Sequence, residues 1–386
     1  MKFIFLIMLM LISVCANAQE NAVKSKQIEM NGYIKDVQNM SFVKSLDSVS
    51  SLNLLHNRLN FKWTISSKFS AKVEIRNRLF YGDALKKIPD FGNSINQYNS
   101  LINLSQLWIN NKTLVFHSVI DRILVQYATE KWDVKIGRQR INWGINTIWS
   151  PNDLFNSYNF LDFDYEERPG NDAIRIQHFF TDNSTLEMAY KPGKNKDETI
   201  AAMLYKFNKN KYDYQILGGI YLQDLVVGGG WAGSIKEAGF KGEMTYFHPK
   251  DDIFNKSGVI SFSIMGDYTF KNDWYVAASG LFNSSPIQSS STNLTIFGAN
   301  LSAKTLFPYR YTFYFSVLKS FSPISSLNFS LIYSPEKNAL ILFPTYSWNV
   351  AKNFDINLIV QSFFANENKT YQSLGTSFYL RGKFSF

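Results

Sequence analysis

Residues able to do chemistry crowd into one stretch of this chain. Gly137 to Gly170 reads GRQRINWGINTIWSPNDLFNSYNFLDFDYEERPG. It carries Arg138, Arg140, Asp153, Asp162, Asp164, Glu166, Glu167 and Arg168, with Asp172 and Arg175 just beyond. Arginines and carboxylates at this density pair with one another, or set the field that a passing ion feels. Asp162-x-Asp164-x-Glu166 puts carboxylates on one face of an extended chain. It lacks the glycine turn and the closing glutamate of an EF-hand loop, so no metal is assigned. The histidines are His56, His117, His178 and His248. His178 has Ser184 nearby in sequence, but it sits among Ile174, Ile176 and Phe180 and no G-x-S-x-G elbow is present. The residues point to no catalytic centre and no cofactor, so the chain is read as a non-enzyme.

The elements that must position this stretch are strands. Leu55, Leu59, Phe61 and Trp63 alternate with His56, Arg58, Asn60 and Lys62. After Ser66-Ser67, Val73, Ile75 and Leu79 alternate with Lys72, Glu74, Arg76 and Arg78. The same period of two returns at Tyr212–Leu222, at Tyr268–Phe282 and at Phe354–Val360. The last strand runs to the terminus as LGTSFYLRGKFSF, with Leu374, Phe378, Leu380, Phe384 and Phe386 on one face and Arg381, Lys383 and Ser385 on the other. A dry core does not hold such charges unpaired. One face to lipid and one to a wet interior is the pattern of a transmembrane β-barrel. Hydrophobic residues make up 45% of the chain, yet no run after the leader reaches the length of a spanning helix.

The leader is Met1 to Ala18, with Lys2, an apolar run from Phe3 to Val14 and a small-residue close at Ala16 to Ala18, which reads as a secretory signal. It takes Cys15, the sole cysteine, with it, leaving no disulfide or thiolate site. Export and the scatter of Lys and Arg argue against nucleic acid as partner, despite a net charge of +9. Residues 19–386 then form a single barrel domain. Short turns fall near 66–67, 129–130, 181–183, 208–210, 236–237, 271–272, 322–324 and 351–353. Long loops fall near 82–112, 141–171 and 284–308. With both termini at the short-turn end the strand number is even. The alternation closes at 18, with 16 as the other solution, and 18 requires the strand-like segments 101–109 and 293–304 to belong to loops. The expected fold is therefore all-β, an antiparallel up-and-down transmembrane barrel. Its lumen is too wide for side chains alone to fill. Arg58, Lys62, Glu74, Arg76 and Arg78 are candidates for the pore wall.

Strand parity poses a question about Arg138 and Arg140. Trp132, Val134 and Ile136 face lipid, so both arginines follow that phase unless the strand has left the membrane or Gly137 bulges. The loop after them is too rich in aromatics to be disordered, so it folds onto the barrel or into its mouth. Arg138, Arg140, Asp153, Asp162, Asp164, Glu166, Glu167, Arg168 and Arg175 are the candidates for a constriction. A structural latch held by internal ion pairs is the other reading.

Four pieces of sequence carry a resemblance: Ile120-Asp121-Arg122, GRQRINWG from Gly137 to Gly144, Pro151-Asn152-Asp153, and DFDYEERPG from Asp162 to Gly170. Together they resemble a largely uncharacterised family of Gram-negative outer-membrane barrels of porin-like or alginate-export-like architecture. The resemblance implies an 18-stranded barrel in the outer membrane, with no settled substrate and no catalytic residues. The implied partners are membrane lipid and lipopolysaccharide, the barrel assembly machinery and small polar solutes. Phe386 resembles the terminal aromatic read as an assembly signal. The expected function is a channel for small polar or charged solutes. The alternative is a barrel that exports or assembles an acidic polysaccharide.

Overall fold

The computed structural model describes residues 27–43, 48–96, 100–156, 168–251, 253–286, 301–367 and 369–386. The leader, Asp162, Asp164, Glu166, Glu167 and most of 293–304 lie outside these residues. The strands of the first half are β1 (Ile28–Phe42), β2 (Asn53–Thr64), β3 (Phe69–Tyr81), β4 (Ser105–Asn110), β5 (Leu114–Ala128), β6 (Trp132–Gln139), β7 (Asn171–Thr181), β8 (Ser184–Lys191) and β9 (Ile200–Lys209). The second half supplies β10 (Tyr212–Tyr221), β11 (Asp224–Ile235), β12 (Ala238–Pro249), β13 (Val259–Thr269), β14 (Trp274–Asn283) and β15 (Tyr311–Ser322). It closes with β16 (Ser325–Ser334), β17 (Ala339–Ala351), β18 (Phe354–Glu367) and β19 (Thr370–Ser385).

Every strand except β4 is a stave. Each pairs antiparallel with its sequence neighbours, and β1 pairs with β19 from Tyr33↔Ser385 to Phe42↔Thr376, closing an 18-stave barrel. Closure removes every stave edge, which lipid would otherwise leave without hydrogen-bond partners. Phe386 finishes the seam: its N–H donates to the Gly32 carbonyl at 3.0 Å and its carbonyl accepts from the Gly32 N–H at 2.9 Å. Deleting Phe386 removes two exposed-end bonds worth about 2 kcal/mol. We expect such a chain to accumulate poorly in the outer membrane, while the inserted fraction melts within a few degrees of the parent on heat-shift gels. Normal accumulation would make Phe386 a stave residue only.

The two faces follow the period of two. Trp63, Ile123, Val125, Ile136, Ile174, Met203, Ile216, Phe313 and Leu358 stand outward and exposed. Aromatics collect near the short-turn end, where Phe69 packs on Tyr127 at 4.9 Å and Trp132 on His178 at 4.2 Å. His178 is thus an outward ring in an aromatic belt.

Leu374 departs from the expected outward face. Gly375 adopts φ 146°, the register slips between Phe363 and Phe364, and Leu374 turns into an inner apolar cluster with Phe363 and Ile341. A bulge reverses the phase of everything beyond it. The segment 101–109 is not a stave, as the count of 18 required, but part of it joins the sheet as β4. Strand β6 pairs with β5 only from Ile123↔Arg138 to Ala128↔Asp133. The edge of β5 that β6 leaves bare, Val115 to Val119, is taken by β4.

Candidate functional site

The chain leaves the wall at Gln139 and turns into the lumen. Gln139 anchors the departure, donating from Nε2 to the carbonyls of Lys135 at 3.1 Å and Ala173 at 3.0 Å. Gly137 makes the turn possible: its φ is 120°, and a Cβ there would sit 2.3 Å from the Ile123 carbonyl oxygen. It does not flip the phase. Arg138 is opposite Ile123, on the outward side with Ile136. There it is buried beneath the strand segment leading into β4, pairing with Asp172 at 2.7 Å and donating to the Ile102 and Ile120 carbonyls. The structure thus places Arg138 in the wall's outer face, as a clamp on the β4 segment. Arg140 is exposed and lies close enough to Asp153 to act on its charge.

Residues 141–156 cross the barrel interior. Ile141, Trp143, Leu154 and Phe155 pack against Ala202, Leu204, Leu217 and Phe247 of the inner wall. Further across, Ile148 and Trp149 meet Leu281, Phe307, Tyr314 and Ile332. An irregular backbone carries unpaired N–H and C=O groups into this interior, and the wall supplies their partners. Glu243 of β12 accepts from the N–H groups of Ile145 and Asn146, each at 2.5 Å, and of Asn152 at 3.1 Å. Thr245 donates to the Pro151 carbonyl at 3.1 Å, Gln215 to the Trp143 carbonyl at 2.9 Å, and Ser263 to the Trp149 carbonyl at 2.8 Å. Glu187 of β8 accepts from Trp143 Nε1 at 2.6 Å while Arg175 grips it through two nitrogens at 2.6 and 2.9 Å. Two other segments also fold inward. Residues 303–309 cover β14 to β17, and Leu85, Phe91 and Ile95 cover Val37, Leu54, Phe80 and Val115.

Within the loop, Asp153 accepts from the Trp143 N–H at 3.3 Å and pairs with Arg168 at 2.7 Å. The Arg168 carbonyl in turn accepts from Arg122 on the wall at 2.5 Å. Burial pushes the Asp153 carboxyl up to about 6, and the Arg168 charge and the Trp143 N–H only partly oppose this. The docked loop therefore holds the Asp153 proton more tightly than an undocked loop would. This contribution to docking is complete below about pH 4 and is lost as pH rises through 6, a swing of about 3 kcal/mol. We expect a thiol placed at Ser150 in the docked loop to label more slowly on acidification from pH 7 to pH 5, and the Asp153→Asn background to show a smaller change. Labelling that quickens on acidification would contradict this assignment.

The wall facing the loop is cationic. Arg58 is 1% exposed and donates to Asp121 at 2.7 Å, to Glu74 at 2.5 Å and, from Nε, to Asn60 at 3.0 Å. Arg76 lies 3.1 Å from the same Asp121 oxygen and Arg122 4.0 Å from Glu74. Arg78 meets His117 Nδ1 at 3.2 Å. Lys35 and Lys383 lie 5.3 and 4.7 Å from the Tyr33 ring. Lys62, nearer the short-turn end, pairs with Glu29 at 3.3 Å. At that end a cavity of about 350 Å³ is lined by Ser320, Ser326, Asn357, Arg381 and Lys383.

Arg58, Glu74, Arg76 and Arg78 thus form one cluster on the inner wall, with Lys62 below it. Arg168 and Asp153 join loop to loop, and Arg175 acts through Glu187. Glu187, Glu243 and Lys35 were not offered as site residues by sequence, and His56 and His117 were named there without a place in the site. The available signal was an acid or base on the inward phase of a strand, as at Glu243 beside outward Met244.

No protein-family model matches the sequence, and no curated protein matches it. Solved structures do. Pseudomonas aeruginosa OccK9 (OpdG) superposes with a TM-score of 0.63 at 8% identity, covering 94% of this chain and 99% of that one. The outer membrane protein OpdK of the same organism gives 0.57 at 7% identity, with coverage of 93% and 99%. Acinetobacter baumannii OccAB4 gives 0.54 at 7%, with coverage of 95% and 100%. At these identities the likeness is one of fold.

Proposed function

We propose that this chain is an outer-membrane channel through which small polar or charged solutes diffuse. The carrying observation is the juxtaposition inside one wide barrel: an inward loop fixed to β8 through β13, and across from it a wall rich in arginine. The fold it shares with the outer membrane protein OpdK supports the location. In that setting the short turns face the periplasm and the apolar outward band faces lipid, with lipopolysaccharide at the long-loop rim. The barrel assembly machinery would read Phe386. The upper cluster holds five cations, Lys35, Arg58, Arg76, Arg78 and Arg122, against Glu74 and Asp121. Fixed charge of this sign raises the local concentration of anions, so small anions pass in preference to cations. The acids Asp162, Asp164, Glu166 and Glu167 belong to the same proposal as loop charges that trim this preference.

No catalytic step is assigned to any of these groups. Three inward segments narrow the lumen, which favours small solutes over the export of an acidic polymer. The purified protein in planar bilayers should give discrete conductance steps with a reversal potential on the anion side. Liposomes carrying it should swell in small sugars. A protein that inserts, folds and stays closed to small ions and sugars would end the channel reading.

A further inference from the structure

The outward face of the barrel is not uniform. From β8 round to β19 its mid-strand residues are apolar, as at Met203, Ile216, Val227, Met244, Phe313 and Leu358, all exposed. On β1 to β5 they are not. Asn57, Asn77 and Ser118 lie side by side on three adjacent strands at one register level, each between inward-facing neighbours. They form a chain of hydrogen bonds. Asn57 Nδ2 donates to the Tyr33 carbonyl at 3.2 Å, Asn77 Nδ2 to Asn57 Oδ1 at 3.2 Å, Ser118 Oγ to Asn77 Oδ1 at 2.6 Å, and Trp108 Nε1 to Ser118 Oγ at 3.0 Å. On β1, exposed Asp36 stands beside Leu55, and Gln38 donates to both of its carboxylate oxygens at 2.9 Å and to the Tyr81 hydroxyl at 2.7 Å.

This row is not at the rim. Asn57 lies six residues above the belt residue Trp63 on β2. At the rise and tilt of barrel strands that is about 15 Å, within an apolar band of about 25 Å. Above it the outward residues of β2, β3 and β5 become apolar again, at Leu55, Leu79 and Phe116, while on β1 Asp36 stands level with Leu55 and Gln38 lies beyond it toward the long-loop end. Hydrocarbon offers these amides and this carboxylate nothing, whereas another protein surface does.

The patch holds both halves of such a contact. Asn57 and Asn77 each have a second amide N–H beyond the bonds above, and Asp36 and Gln38 retain acceptor oxygens. A two-fold axis through the face would bring the donors of one copy to the acceptors of the other. Gly382, paired opposite Asp36 on β19, has no side chain to hold a neighbour away. We propose that the β1–β5 face is where two copies of this chain meet within the membrane.

Single cysteines test it. Asn57→Cys and Asn77→Cys, oxidised in outer-membrane vesicles, should each give a disulfide-linked species of twice the chain mass. Met244→Cys, on the far side, should give none. A variant with leucine at Asp36, Gln38, Asn57 and Asn77 should stay heat-modifiable on gels, showing that it folds. Its dimer fraction in lipid nanodiscs should fall by about tenfold or more against the unaltered chain. An unaltered chain that is monomeric in nanodiscs, or cysteines that cross-link only to a protein of another mass, would overturn the proposal. The cysteine readout stands even where the leucine variant fails to fold, and none of these tests depends on what the channel conducts.

Discussion

The Glu243→Ala variant conducts more than the parent: single-channel conductance rises by about twofold or more as the inner loop leaves the lumen. Three backbone N–H groups, from Ile145, Asn146 and Asn152, converge on this one carboxylate inside the barrel. Removing the acceptor leaves three buried donors unpaired, at roughly 3 kcal/mol or more. That is enough to shift the docked fraction by over about a hundredfold. The barrel itself should survive, because the lost bonds lie between loop and wall and the ladder of β12 with β11 and β13 is untouched. Glu243→Gln keeps one acceptor oxygen and should fall between the two. A thiol placed at Ser150, buried in the docked loop, reports the same event: slow to label in the parent background, fast with Glu243→Ala. Fast labelling without a conductance change would show that the loop is a latch and not the constriction.

The second large effect is on selectivity. Arg58→Gln with Arg76→Gln turns five cations and two acids of the upper wall into three and two. It also strips Asp121 of partners at 2.7 and 3.1 Å. On the proposed reading, in which the ion path runs along this wall, removing two charges changes the energy of a passing ion by about 1 kcal/mol, or roughly fivefold in the ratio of anion to cation permeability. The reversal potential under a salt gradient should move toward the cation side by that ratio, with conductance altered less. Asp121 sits 1% exposed by its side chain, so an unpaired charge there is costly. The triple variant that adds Asp121→Asn keeps the test readable if the double variant is unstable. An unchanged reversal potential would place the ion path elsewhere in the lumen.

The fold was legible because lipid and water demand opposite faces at every second residue. Leu59, Phe61 and Trp63 against Arg58, Asn60 and Lys62 determine the phase of β2, and the short turns then fix the count. What misled was local. Leu374 reads as one more outward apolar residue, and nothing before Gly375 announces the bulge that turns it inward. Arg138 looked like a pore arginine because its partners, Asp172 and the Ile102 carbonyl, are brought by distant segments. That the loop folds into the barrel was legible from its aromatic density. Its hold on the wall was not, since Glu243 is 91 to 98 residues away from the N–H groups it binds. A lone acid on a strand says which way it points and leaves unsaid what it meets.

The seam between β1 and β19 also sets an order in time. Tyr33 and Ser385 are neighbours in the finished wall and stand near opposite ends of the chain. The ring is complete only when the last residues have been made. Residues 141–156 dock on β7, β8, β10, β12 and β13, all of which precede β19 in the chain, so the seat of the loop is built before the ring shuts. The wall can therefore close around a loop whose partners are already in place, and Phe386 meeting Gly32 completes the seam.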